Sequence, residues 1–108
     1  MAYNAYSVVD SVSAASFTAE VDPYFERGYF AITFFNSSGD VVTPTAGTAT
    51  ITATDDNYNY GSVVNGVVDV TNSAYDRPRI GQSINGFKVT LSGVTGADSF
   101  SCIYRAFN

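Results

Sequence analysis

An all-β fold, an antiparallel sandwich of about eight strands in one domain, jelly-roll-like or Ig-like, is what this chain predicts. Three observations carry the prediction. Along Gly28 to Asp56 the side chains alternate with a period of two. Phe30, Ile32 and Phe34 fall on one side and Tyr29, Ala31, Thr33 and Phe35 on the other; then Ala49, Ile51 and Ala53 alternate with Thr48, Thr50, Thr52 and Thr54. That is the period of a half-buried strand. Composition agrees, since eight Phe and eight Tyr stand among many Ala, Val and Thr, and Leu91 is the single leucine. Aromatic and β-branched side chains fit pleated surfaces, whereas leucine favours helices. Finally, turn-forming residues cut the chain into short runs, and no window shows a helical stripe.

Taken in order, Tyr6 to Val12 is a first, irregular strand, with Asp10 in the same row as Val8 and Val12. Ala15 to Val21 alternates better, and Asp22-Pro23 ends it because proline cannot donate to a ladder. Tyr24 to Arg27 reads as a connection with a short turn of helix, and Gly28 opens the strongest strand. Ser37-Ser38-Gly39-Asp40 turns the chain, and Pro44 separates a short Val41-Val42 strand from Gly47 to Thr54. Asp55-Asp56-Asn57 is loop chemistry, since these side chains hydrogen-bond nearby backbone. Val63-Val64-Asn65-Gly66-Val67-Val68 predicts a hairpin, because Asn-Gly takes the positive φ angles of a type I′ turn. Ile84-Asn85-Gly86-Phe87 repeats the dipeptide at the entry to the Phe87, Val89, Leu91 strand, and Gly93 to Asp98 links that strand to the last, Ser99 to Phe107. Ile103 and Phe107 lie opposite the Phe100, Cys102, Tyr104 row, as Tyr29 and Phe35 lie opposite Phe30. Apolar residues on both faces call for a subunit interface or a loop that covers the second face, because large apolar patches are uncommon on monomers.

A chain of 108 residues is one domain by size, expected to span 1–108 with residues 1–5 as an extended N-terminal arm. Ten acids against five bases give a net charge of −5. That balance disfavours nucleic acid and anionic membranes, which both need a positive patch. Arg77-Pro78-Arg79 is the one place where two bases sit close together. Cys102 is the single cysteine, so an intrachain disulfide is excluded and a small buried hydrophobe is the plain reading. The N-terminus lacks the basic and apolar regions of a signal peptide, and no stretch approaches the ~20 apolar residues of a membrane span. Production in a reducing cytoplasm is the expectation.

Catalytic chemistry is sparse, and neither catalytic residues nor a cofactor or metal site is expected. Histidine is absent, which removes Ser-His and Cys-His dyads, imidazole proton shuttles and most transition-metal sites. Lys88 sits mid-strand on the polar side of Phe87 and Val89, which reads as a solvated charge, and Gly93-Val94-Thr95-Gly96-Ala97-Asp98 lacks the Lys-Ser/Thr ending of a phosphate loop. Paired carboxylates would suffice for a hydrolase, but Glu20 and Asp22 share an otherwise polar face. Asp55 to Asn59 has oxygens that a calcium ion could use without the spacing or closing Glu of an EF-hand, so a turn is the simpler reading. Tyr58, Asn59 and Tyr60 are the one suggestive group: aromatic faces beside an amide can stack on and hydrogen-bond a sugar.

The strand GYFAITFFNSSGDVV, the following TPTAGTATITAT, the VVNGVVDVTN segment, the Arg77-Pro78 region and the closing FKVTLSGVTGADSFSCIYRAF resemble small β-sandwich proteins of tailed bacteriophage particles. The likeness covers most of residues 28 to 107 and rests on strand and turn texture. It implies a non-enzymatic virion component, made in the host cytoplasm and mounted on the particle. Capsid decoration (cement) proteins, commonly trimers, are the members it most favours, which would bind the major capsid protein and stabilise the outer capsid surface. Under this reading the candidate interface residues are Tyr3, Tyr6, Phe35, Arg77, Arg79, Ile103 and Phe107. A glycan-binding or adhesion module of a phage tail or fibre, using Tyr58, Asn59 and Tyr60, is the alternative, and a small carboxylate hydrolase is a distant third.

Overall fold

A computed structural model describes residues 3–13 and 16–108. They form nine strands: β1 (Tyr3–Ser11), β2 (Ser16–Glu20), β3 (Arg27–Phe35), β4 (Val41–Val42), β5 (Ala46–Thr54), β6 (Gly61–Asp69), β7 (Arg79–Ile80), β8 (Gly86–Thr95) and β9 (Ser99–Phe107). Every pairing is antiparallel. One sheet runs β1-β9-β3, with short β7 and β4 at opposite ends of the far edge of β3; the other runs β2-β8-β5-β6. The two sheets join where Val64 of β6 pairs with Arg79 of β7, and β1 lies against β2 on the opposite side. The result is a sandwich nearly closed into a barrel. Closure of this kind leaves little free strand edge, which limits edge-to-edge aggregation.

The strand alternation read from the sequence holds in three dimensions. On β3, Gly28, Phe30, Ile32 and Phe34 are buried while Tyr29, Ala31, Thr33 and Phe35 are half-exposed. On β9, Phe100, Cys102, Tyr104 and Ala106 are buried in the same way. These rows meet Phe17 of β2, Ile51 of β5 and Phe87, Val89 and Leu91 of β8 in a single core. Aromatic rings stitch the layers: Phe30 packs against Tyr104 at 4.6 Å and Phe87 at 5.1 Å, and Phe17 meets Phe100 edge-on at 4.8 Å. Burial of each such side chain stabilises the fold by about 1.5–3 kcal/mol, and each aromatic pair adds about 0.5–1.5 kcal/mol.

Four local expectations are corrected. The Val63–Val68 hairpin does not form, because β6 runs unbroken through it. Thr50 faces Val67 and Thr52 faces Ser62, so Val63, Val64, Asn65 and Gly66 all bulge out opposite Ile51. Asn65 does take a left-handed φ of 59°, but Gly66 does not follow it, and a type I′ reversal needs both. Glycine is still required at 66: an added Cβ would lie 2.7 Å from the Ile51 carbonyl oxygen and 2.8 Å from that of Val63. Because both ends of the segment pair with β5, the bulge is what carries Val64 across to the other sheet. Second, the Gly93–Asp98 link is shorter than expected, since β8 continues to Thr95 by bulging at Gly93 and Val94 opposite Gly47. Third, the connection before β3 contains a turn at Pro23-Tyr24 and no helix. Finally, Tyr3, Asn4 and Ala5, expected within an extended arm, are strand residues paired with Phe107, Ala106 and Arg105. Met1, Ala2 and Ala15, the first residue expected in the second strand, lie outside the described residues.

Candidate interaction surface

The outward face of β1-β9-β3 is built by strand parity. Its rows, read across the register, are Phe107 with Arg27; Ala5, Arg105, Tyr29 and Arg79; Ser7, Ile103 and Ala31; Val9, Ser101 and Thr33; and Ser11, Ser99, Phe35 and Val41. Opposed residues on neighbouring strands have their Cβ atoms about 5 Å apart, so each row is a contact row. Val9 and Val41 are about 70% exposed (69% and 70%), and Phe35, Ile103 and Phe107 are half-buried against their neighbours rather than in the core. The Arg27 guanidinium lies 5.1 Å from the centre of the Phe107 ring, and Tyr29 meets that ring edge-on at 6.4 Å. Arg79 and Arg105 flank Tyr29 in the next row, both exposed.

Charge on this face is one-sided. Three of the five cations of the chain, Arg27, Arg79 and Arg105, stand on it, and none of the ten carboxylates does among the described residues. The opposite sheet turns a different surface outward. Ser16, Thr18, Thr48, Thr50, Thr52, Thr90 and Ser92 make its middle a hydroxyl carpet, with Lys88 beside Thr18 and Thr52, and Glu20, Asp69 and the exposed Val67 stand on its edge strands. Threonine at such positions meets β propensity on a solvated face. Arginine and aromatic side chains are the types that dominate binding energy at protein interfaces, and the β1-β9-β3 face is the one that gathers them.

The structure puts Phe35, Ile103, Phe107 and Arg79 of the sequence-derived interface on one face, with Phe35 at the end far from Phe107 and Arg79, and separates the others. Tyr3 pairs through its backbone with Phe107. Tyr6 lies on the inward row opposite Tyr104, and its hydroxyl donates to the Asp22 carboxylate at 3.2 Å. Arg77 sits in the β6–β7 connection with its guanidinium 5.2 Å from the Tyr75 ring centre. Arg27, Tyr29 and Arg105 complete the cluster without having been singled out as contacts, although they share the parity of Phe35 and Ile103. That parity was the available signal.

The glycan candidates diverge. Tyr58 is 87% exposed. The side-chain amide of Asn59 donates to Asp56 at 2.9 Å, and the Tyr60 ring is faced by the Lys88 ammonium 4.4 Å from its centre. A groove of about 380 Å³ does run beside Asn59 and Tyr60, past Asp55, Arg79 and Gln82. The neighbouring acidic loop is organised by its own backbone. Asp56 accepts from the N–H groups of Tyr58 and Asn59, both at 2.8 Å, and from the Thr54 hydroxyl at 3.0 Å. These bonds, led by those of Asn59 and Tyr58, hold its carboxyl well below the usual carboxylate range. Glu20 and Asp22 border a shallow depression also lined by Tyr6, Asn85 and Asn57 of that loop. Cys102 is fully buried, and desolvation pushes its thiol up to about 12. No group of three metal-ligating side chains occurs among the described residues, and no helix there is long and apolar enough to cross a membrane.

Comparison with known proteins places the chain by fold and by family. A solved structure reported as "Bacillus endospore appendages form a novel family of disulfide-linked pili" is similar in fold, with a TM-score of 0.53 at 8% identity over 98% of this chain and 87% of that one. No curated protein matches the sequence. The sequence profile of a domain of unknown function, DUF7265, matches residues 2–106, and the chain therefore belongs to the DUF7265 family.

Proposed function

We propose that this domain is a non-enzymatic structural protein that mounts on a larger assembly, and specifically a capsid decoration protein of a tailed phage. The observation that carries the structural role is the β1-β9-β3 face, where Phe35, Ile103, Phe107, Val9 and Val41 share one surface with three arginines and no carboxylate. A monomer with no partner gains nothing by keeping such side chains in water. The likeness of the β3–β5 and β8–β9 segments to phage virion proteins supports the capsid as the mounting surface and the major capsid protein as the partner, with a trimer as the decorating unit. Contacts spread over several copies let individually weak docking events hold together.

The fold shared with an endospore appendage chain fits a structural role, though that protein belongs to disulfide-linked pili. A disulfide-linked array is not the route for this chain, whose one cysteine is buried in the core. Quantitative mass spectrometry of purified particles tests the proposal. A molar ratio to the major capsid protein near one is expected, together with loss of the protein from particles when Ile103→Ser and Phe107→Ser are introduced into a chain that still folds. Absence from particles overturns the virion role. A ratio far below one, with glycan binding abolished by Tyr58→Ala, would instead move the protein to a tail or fibre.

A further inference from the structure

The charge distribution points to the occupant of the β1-β9-β3 face. We propose that it is the acidic flank of a second copy of this chain, docked head-to-tail, with Arg27, Arg79 and Arg105 of one copy against Glu20 and Asp22 of the next. This rests on the reading of that face as an assembly surface and names its partner.

Self-pairing face to face is disfavoured. A two-fold contact would place the arginines against those of the other copy or, with the strands reversed, against its Phe35 and Val41 end, and in neither case does the facing surface carry a carboxylate. Like charges brought together at an interface cost several kcal/mol, so the face selects an acidic partner. The remainder of the same molecule meets that requirement, since outside the face ten carboxylates stand against only Arg77 and Lys88. Glu20 and Asp22 are exposed, and they border the shallow depression of about 530 Å³ formed with Tyr6, Asn57 and Asn85. A concave acidic site and a pleated face studded with arginine are complementary in sign.

The arginines are also partly organised before binding. Arg27 is already stacked on Phe107, and a guanidinium held on a ring loses less freedom when it meets a carboxylate. A contact between two different patches is heterologous, so it propagates until the rotation closes a ring. Three copies related by a three-fold axis satisfy every face and flank, which is one way for this fold to reach the trimer proposed above. Capsid attachment then rests on surfaces outside the contact, and substitutions such as Ile103→Ser and Phe107→Ser release the protein from particles by breaking the multivalent trimer.

Sedimentation velocity of the whole chain and of a triple variant, Arg27→Glu/Arg79→Glu/Arg105→Glu, tests this. The expected result is that wild type self-associates at low salt and that raising NaCl from about 50 mM to about 500 mM weakens association about tenfold or more. The triple variant is expected to be monomeric alone but to bind wild type, because its acidic flank is intact and acts as a chain terminator. If the triple reversal does not fold, Arg79→Gln/Arg105→Gln is expected to weaken self-association in the same direction. A wild type that stays monomeric at millimolar concentration and low salt overturns the inference, as does association that ignores salt or these substitutions. A triple variant that folds but does not bind wild type overturns the head-to-tail arrangement. None of these outcomes bears on whether the protein is found on particles, which the stoichiometry measurement decides separately.

Discussion

The Tyr75 hydroxyl is hydrogen-bonded to both backbone groups of Ile32: it accepts from the Ile32 N–H at 2.8 Å and donates to the Ile32 carbonyl at 3.3 Å. Ile32 lies on β3 in the gap between β7, which pairs with Gly28 and Tyr29, and β4, which pairs with Phe34 and Phe35. One side chain, 43 residues away in sequence, thus stands where a neighbouring strand would otherwise be. Just beside it, the Phe30 N–H is satisfied by the Pro78 carbonyl at 2.8 Å. The edge of the strongest strand is closed by a patchwork of partners.

Removal of that hydroxyl should therefore cost more than its size suggests. Tyr75→Phe leaves a donor and an acceptor of Ile32 without a protein partner, and loss of partners by buried groups costs about 1–3 kcal/mol. Urea denaturation should show a drop of that order, and hydrogen exchange at the Ile32 amide should accelerate beyond the global change. An unchanged Ile32 exchange rate would mean that Tyr75 does not close the edge in solution.

A second prediction concerns Gly28, which lies under the Tyr104 ring. A Cβ added there would overlap the edge of the Tyr104 ring and its hydroxyl oxygen, and Tyr104 is 1% exposed and packed against Phe30 and Phe87. With no room for the ring to retreat, Gly28→Ala should destabilise by about 1–3 kcal/mol, the usual range for overpacking. Gly39→Ala has open space around it and serves as a comparison in which only turn strain at its φ of 85° enters. Thermal unfolding of the two variants separates clash from strain.

Cys102 and Tyr104 give an alkaline prediction. Desolvation pushes the Cys102 thiol from its ordinary 9.0 to about 12. Desolvation, with a smaller contribution from Tyr6, pushes the Tyr104 phenol from 10.0 to about 12. Both folded values exceed the unfolded ones, so the associated stability is complete below about pH 9 and is lost as pH rises from 9 towards 12. Chemical denaturation across that window should show stability falling with pH. At pH 8, iodoacetamide should label Cys102 only at the rate of global unfolding; rapid labelling of the native protein would contradict its burial.

The Asp56 loop gives the acid counterpart. Its carboxyl is held below the ordinary 3.8 by the N–H groups of Asn59 and Tyr58, the Asn59 amide and the Thr54 hydroxyl. A depressed folded value means that the contribution is present above about pH 4 and is lost as pH falls below it. The carboxyl resonance of Asp56 should show no inflection near 3.8, and Asp56→Ala should speed hydrogen exchange at Tyr58 and Asn59 with little change in global stability. An inflection at 3.8 would mean that the loop bonds are absent in solution.

Much of this protein was determined by sequence alone. Period-two alternation placed β3, β5 and β9 with the right residues inside, because a strand in a two-layer fold has one face in oil and one in water whatever its neighbours are. Proline and Asp-rich turns marked the ends of β2, β4 and β5 for equally local reasons. Parity also placed Phe35, Ile103 and Phe107 on the outer face. Only the tertiary structure decided which strands are neighbours. The Asn65-Gly66 dipeptide carried a hairpin signal, yet both flanks found β5 and the segment became a bridge between sheets. Likewise, Arg27, Arg79 and Arg105 are scattered in sequence and gather only because β9, β3 and β7 are adjacent, as Tyr75 finds Ile32 only because the β6–β7 connection passes the edge of β3. Local rules fix the state of a segment through its own backbone and the face it buries. Pairing between distant segments is settled by competition among many similar strands, and a single chain read in isolation does not rank those competitors.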